Sequence, residues 1–159
     1  MSKFPENSDM RISKVFSKRI KELIEDNDCA SNKQFAELVG VSSPVISKAV
    51  NYGILPTMKS LIMIADKLEI SLPYLLGETN NNDFIGSPTP STFSNRLQEL
   101  ANERNETFGA ISTKMPFIRT YFYNWIKLGT LPSLEYAIEI ANYFNVSLDY
   151  LFGRSDYRK

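Results

Sequence analysis

The sequence predicts an all-α protein of two tandem units, each of about five short helices, joined by a flexible linker. Three observations carry this. Apolar residues recur at helical spacing, no segment alternates with period two over strand length, and one half of the chain repeats in the other. LPTMKSLIMIADKLEISLPYLLG, from Leu55 to Gly77, corresponds to LPSLEYAIEIANYFNVSLDYLFG, from Leu131 to Gly153, at an ungapped offset of 76 residues. Upstream, FSKRIKEL from Phe16 corresponds to FSNRLQEL from Phe93 at an offset of 77, so the second copy is one residue shorter between these blocks.

In the first copy, helix 1 is expected from Arg11 to Glu25, where Val15, Phe16, Arg19, Ile20, Leu23 and Ile24 recur at helical spacing. Its partner in the second copy uses Phe93, Leu97 and Leu100. Helix 2 is expected after Ser31, a good N-cap, with Phe35, Leu38 and Val39 on one side. Gly40 supplies the positive φ that a tight turn between helices needs. Ser42 is expected to cap helix 3, with Pro44 tolerated in its first turn and Val45, Ile46, Ala49 and Val50 continuing it. Gly53 ends that helix, and helix 4 begins near Thr57, just after Pro56, carrying Leu61, Ile64, Ala65 and Leu68. Ser71 caps the short last helix, LPYLLG.

Between the copies, ETNNNDFIGSPTPST from Glu78 to Thr92 is rich in Asn, Ser, Thr and Pro, the composition of a linker. The expected division is an N-terminal extension over 1–10, a first domain over 11–77, a linker over 78–92, a second domain over 93–155 and a tail over 156–159. At about 3.3 to 3.6 Å per residue such a linker reaches ~50 Å.

Composition narrows the function classes. With 43% hydrophobic and 23% charged residues, the chain has enough apolar content for a core. The longest apolar stretches, such as Leu61 to Ala65, fall far short of a membrane span, and MSKFPENSDM offers no signal-peptide run, so a cytoplasmic protein with no membrane partner is expected. Basic and acidic residues number 18 each, with 10 of each sign in residues 1–80. That balance speaks against a nonspecific polyanion binder but leaves room for a local basic patch. One cysteine, Cys29, and no histidine exclude an internal disulfide and a His/Cys zinc site. Cys29 also lacks a histidine to activate it, and is expected to be a small buried or half-buried apolar side chain. No enzyme, cofactor or metal site is expected, and Glu22 with Asp26 is most simply a solvated helix face.

The run FAELVGVSSPVIS from Phe35 to Ser47, followed by Pro56 and ISLPYLLG, resembles the lambda-repressor-like, Cro/CI-type (XRE) helix-turn-helix domain. In the second copy YNWIKLGTLPS, from Tyr123 to Ser133, and VSLDYLFG, ending at Gly153, resemble it too. The likeness covers almost the whole chain outside the first ten or so residues and the linker. There are departures. The family usually ends helix 3 with Trp-Glu, where this chain has Ala49-Val50 and Trp125-Ile126. Pro116 stands where the first copy has Gly40, and Ile118 where it has Ser42, so a reshaped turn is expected in the second copy.

The resemblance implies that helix 3 enters the major groove of double-stranded DNA while helix 2 crosses the backbone. Ser42, Ser43, Ser47, Lys48 and Asn51 are then expected outward, with Val41, Ile46, Ala49 and Val50 inward. The family pattern places Ser43, Pro44 and Lys48 toward the bases and lets Val45 meet a thymine methyl, while Asn32 and Lys33 anchor phosphate at the helix 2 N-terminus. Ser42 is either a cap alone or a cap with a phosphate contact; Lys48 is either a DNA contact or a solvated side chain. In the second copy Arg119, Thr120, Tyr121, Tyr123, Asn124 and Lys127 offer DNA-contact chemistry, and Phe122 and Trp125 are expected in the core. Exposed tyrosines there suit a phosphate contact or a protein interface equally.

The expected function is thus a transcriptional regulator of prokaryotic or phage type, a repressor on a bipartite operator whose halves need not be identical. The alternative is a protein-interaction module, such as an antitoxin, antirepressor or inhibitor. No RNP-like or Gly-rich RNA motif is present. A homodimer and an internal pairing of the two domains both stay open as partner arrangements.

Overall fold

The computed structural model describes residues Arg11 to Lys159; the expected N-terminal extension over 1–10 lies outside the described residues. Among those residues the chain is all-α, with ten helices, no strand, and one isolated antiparallel bridge between Ile12 and Ile54. None of these helices is long and apolar enough to cross a membrane. The chain divides into two compact units, with the boundary between Phe84 and Ile85.

The first unit holds α1 (Lys14–Asp26), α2 (Asn32–Val39), α3 (Ser43–Tyr52), α4 (Met58–Leu68) and α5 (Leu72–Leu75). Phe16, Ile20, Phe35, Ile46, Leu61, Ile64, Leu72 and Leu75 are completely buried and form its centre. Each such side chain contributes roughly 1.5–3 kcal/mol by leaving water. Helix α1 packs on α3 and α5, and α2 on α3 and α4. Helix α1 starts later than the sequence suggests, at Lys14, because Ser13 caps it by accepting from the Phe16 N–H. Two expected core positions face water: Val15 is exposed near the start of α1, and Leu38 on α2. Cys29 is half-buried.

The second unit repeats the order, with α6 (Phe93–Glu103), α7 (Phe108–Ser112), α8 (Thr120–Leu128), α9 (Leu134–Phe144) and α10 (Leu148–Leu151). Backbone irregularities recur as well. Asp28 and Asn105 share φ 55, Glu69 and Asn145 take φ 55 and 56, and Gly53, Gly77, Gly129 and Gly153 are all left-handed. Asp28 and Asn105 are still 77 residues apart, whereas the caps Ser31 and Thr107 are 76 apart, so the extra residue of the first unit falls at Cys29–Ala30.

The copies differ most at one turn. In the first unit Gly40 (φ 76) ends α2 and three residues lead into α3. In the second, Pro116 stands at that place. Proline cannot adopt positive φ, has no N–H for the closing hydrogen bond and disfavours helical backbone at the residue before it. Accordingly α7 stops at Ser112, and Thr113–Arg119 form a seven-residue connection in which Met115, Pro116 and Phe117 are buried.

Both ends of the expected 78–92 linker belong to folded units. Arg19 on α1 is buried, stacks over the Tyr74 ring at 3.9 Å, and donates to Thr79 O (3.1 Å) and Asn80 Oδ1 (2.9 Å). Its repeat equivalent Arg96 stacks over Tyr150 at 4.1 Å and donates to Ser155 O (3.4 Å) and Asp156 Oδ1 (3.1 Å). In both, Nε is buried without a partner among the described residues. Ser87 and Ser91 N–H groups bond Arg154 and Gly153 carbonyls. The residues after 155 are likewise integral: Arg158 holds Glu103 through two hydrogen bonds of 2.9 and 2.6 Å, which keep that carboxyl below the usual range.

Glycine is required where these segments pass. A Cβ on Gly153 (φ 72) would stand 2.2 Å from the Ser91 carbonyl oxygen, whereas one on Gly129 (φ 69) meets nothing within 4 Å. Gly129→Ala is therefore expected to lose only about 1 kcal/mol, the cost of left-handed backbone. Gly153→Ala must also displace backbone, and loses roughly 3 kcal/mol or more. Thermal unfolding followed by circular dichroism measures both, and equal losses would show that the Ser91 segment yields freely.

Candidate nucleic-acid interface

Helices α3 and α8 occupy the same place in their units and share a pattern. Ile46 and Ala49 turn α3 inward, and Phe122 and Trp125, each 76 residues further on, do the same for α8. The opposite faces then follow from the helical period. Pro44, Ser47, Lys48 and Asn51 lie at i, i+3, i+4 and i+7, and so do their counterparts Thr120, Tyr123, Asn124 and Lys127. Pro44, Lys48 and Asn51 are exposed, and Ser47 half-buried; the α8 set is exposed throughout. Ser43 and Val45 are half-buried on the flanks of α3, so they stand less far outward than expected. Val41 is buried as expected, and Val50 is half-buried.

The helix starts matter for anion binding. Eight of the ten described helices have an N-cap Ser or Thr whose oxygen accepts a backbone N–H; α3 and α8 do not. Ser42 sits at the N-cap of α3 with extended backbone (φ −64, ψ 146), yet its side chain makes no capping bond, contrary to expectation. The Val45 N–H, which such a cap would take, bonds the Ser42 carbonyl oxygen instead, at 3.1 Å. The Ser42 hydroxyl is exposed. In α8 the equivalent residue is Ile118, which has no hydroxyl, and the chain enters the helix through Arg119 in helical conformation (φ −52, ψ −33). The Ser43, Arg119 and Thr120 N–H groups are consequently without partners among the described residues. At α2, Ser31 caps the Gln34 N–H, leaving the Asn32 and Lys33 N–H groups open beside the exposed Lys33 side chain; Asn32 is half-buried.

The two helices are steadied differently. The last turn of α3 is tied to α1: Ser17 Oγ donates to Val50 O at 2.7 Å, and Ser13 N–H to Gly53 O at 2.7 Å. Helix α8 instead rests on rings. Phe117, which replaces Val41 in the turn, lies 5.2 Å from Phe122, 5.1 Å from Trp125 and 4.8 Å from Tyr136, and Trp125 also meets Phe93 edge-on. Tyr121 joins this cluster through Phe117 and Tyr136 and is nevertheless as exposed as Tyr123, at 42% against 43%. Outward, the Tyr123 ring is flanked by Arg119 at 5.7 Å and Lys127 at 5.9 Å, one helical turn to either side. That ladder of cation, ring and cation was readable in part, since its members are four residues apart.

No family model, curated protein or solved structure matches the chain. Among the described residues no group of three or more His, Cys, Asp or Glu is placed to hold a metal.

Because Lys48 and Asn51 are exposed, Lys48→Ala and Asn51→Ala are expected to change unfolding free energy by no more than about 0.5 kcal/mol. Ile46→Ala, which empties the contact that seats α3, is expected to lose roughly 2–5 kcal/mol. Urea denaturation of the three variants makes the comparison.

Proposed function

We propose that this protein is a sequence-specific reader of double-stranded DNA that regulates transcription, most simply as a repressor, with its two units acting as tandem lambda-repressor-like helix-turn-helix domains. One observation carries the reading. The two helices lacking a side-chain N-cap stand at equivalent places and present equivalent rows of polar and cationic side chains. A groove-reading helix needs that combination, with open N–H groups toward phosphate and donors toward base edges.

On α3, Lys48 and Asn51 supply the donors, with Ser42 and the Asn32–Lys33 helix start beside them for phosphate. On α8, Asn124 suits adenine and Arg119 suits guanine, while Tyr123 and Lys127 suit backbone. The rows differ at every position, with Pro, Ser, Lys and Asn against Thr, Tyr, Asn and Lys, which supports an operator with unlike halves. Half-sites one helical turn apart would be about 34 Å between centres. A second reading, in which the unit from Ile85 to Lys159 holds a protein partner, is favoured by Ile118 and Leu128, 58% and 71% exposed at the two ends of α8.

Selection from a pool of random-sequence duplexes, followed by binding titrations at several salt concentrations, tests the reading. Lys48→Ala is expected to lower the salt slope by about one unit if Lys48 meets phosphate, or to cost about 1–3 kcal/mol at one base position if it meets a base. Lys127→Ala is expected to act on the other half-site. A chain that retains no duplex even at low ionic strength would overturn the assignment.

A further inference from the structure

Helix α1 carries its charges in an order that its own electrostatics oppose. Lys14, Lys18 and Lys21 fall at i, i+4 and i+7, so they form one row along the helix, and all three are exposed. Among the described residues none of the three ammonium groups has an ion-pair or hydrogen-bond partner. The acids Glu22, Glu25 and Asp26 follow at the other end, with no acid in the first turn and no base in the last. A helix N-terminus carries partial positive charge, so this order is the reverse of the favourable one. Lysines one turn apart also repel each other. Glu22, one turn beyond Lys18, meets Arg19 instead, at 3.8 Å.

The second unit shows that the fold does not ask for these charges. At the offset of 77 residues the equivalent positions are Ser91, Asn95 and Gln98, all neutral. The buried face is kept all the same, with Phe16, Arg19, Ile20 and Leu23 corresponding to Phe93, Arg96, Leu97 and Leu100. A cationic row that opposes its own helix, and that the other copy does without, is accounted for by an anion from outside the chain.

The row stands beside the groove-facing helix. Ser17, one turn from both Lys14 and Lys21, donates to Val50 O at 2.7 Å, and Ser13, which precedes Lys14, donates its N–H to Gly53 O at 2.7 Å. From Lys14 to Lys21 the axis rises about 10 Å. That is roughly the rise of three phosphates on one strand of a duplex. Ammonium groups on flexible stems suit phosphate as point charges, without a fixed geometry. We infer that this row holds the sugar–phosphate backbone of the duplex alongside the segment that α3 enters. The choice of DNA rests on the function proposed above; the charge pattern does not. Phosphate carries no sequence, so the row adds affinity and salt dependence at the first unit's half-site without altering its base preference. The second unit lacks that contribution, so its half-site differs in salt response as well as in sequence.

Lys14→Gln, Lys18→Gln and Lys21→Gln together in the full chain remove the charge and keep the helix propensity. Titrations over a range of salt concentrations, with the duplex selected for this protein and with a random-sequence duplex, read the effect. On both, the salt slope is expected to fall by about two to three units, which at about 0.15 M salt is roughly a hundredfold weaker binding. The bases recovered by selection are expected to be unchanged. Lys67→Gln, in the last turn of α4, is the control and is expected to leave the slope as it is. By circular dichroism the triple variant is expected to unfold within about 3 °C of the parent chain. An unchanged slope with duplex binding retained overturns the inference and leaves the row to an acidic protein surface. A slope that Lys67→Gln lowers equally per charge also overturns it, as does a larger fall in the unfolding midpoint, which would make the lysines part of the fold. Binding without base preference, with the slope still falling, keeps the row and overturns the sequence-specific reading, while a parent chain that holds neither duplex at low ionic strength overturns both.

Discussion

A helix of about ten residues cannot repay its own nucleation in water. Helix α3 therefore stands only because Ile46 and Ala49 are buried and because Ser13 and Ser17 hold its last turn from α1. The outward row from Pro44 to Asn51 depends on that anchorage. So does its freedom to vary, since a face that supports nothing can take any polar sequence. The second unit solves the same problem by other means. A phenylalanine and a tryptophan bury more area than an isoleucine and an alanine, and edge-on ring contacts add orientation. A Cβ on Gly129 would meet nothing within 4 Å, whereas one on Gly53 would strike the Ser13 backbone. One architecture thus tolerates two kinds of support for the same exposed helix.

Much of this was legible because it is local. Ser31, Thr57 and Ser71 act within three residues of themselves, and Gly40 answers a backbone requirement of its own turn, so their roles follow from the chain around them. Position on a helix face was less so. Val15 and Leu38 sit on apolar stripes wider than the contacts that bury them, and periodicity cannot say where a stripe meets its edge. The start of α1 was misplaced for a related reason: Ile12 pairs with Ile54 across the fold, which no local pattern records. On the candidate site, composition offered both Tyr121 and Tyr123 but could not tell their neighbours apart: both are exposed, Tyr121 against the Phe117 and Tyr136 rings and Tyr123 between two cations.

The arginine clasps mark the sharper limit. Arg19 and Arg96 recur at an apolar position in FSKRI and FSNRL, which is a visible anomaly. Their acceptors, however, lie about 60 residues downstream, and a buried guanidinium is tolerable only where such acceptors and a ring face converge. That convergence is a property of the folded unit. It also redraws the expected boundaries, because the segments after Gly77 and Gly153 become parts of the units they were thought to leave.

Formal neutrality looks adverse to a nucleic-acid role, and the second unit shows why it need not be. Its Glu103, Glu106, Asp149 and Asp156 are each paired with Arg158, Arg104, Arg154 and Arg96 respectively. These pairs cancel within the fold. Arg119 and Lys127 take no part in them and lie on the α8 face, one turn either side of Tyr123. At physiological salt a phosphate responds to charges within about 8 Å and is screened from those beyond. Two cations thus stand on that face outside these ion pairs, which the sum over the chain does not record. The distribution of ion pairs, which the composition cannot express, decides what the surface attracts.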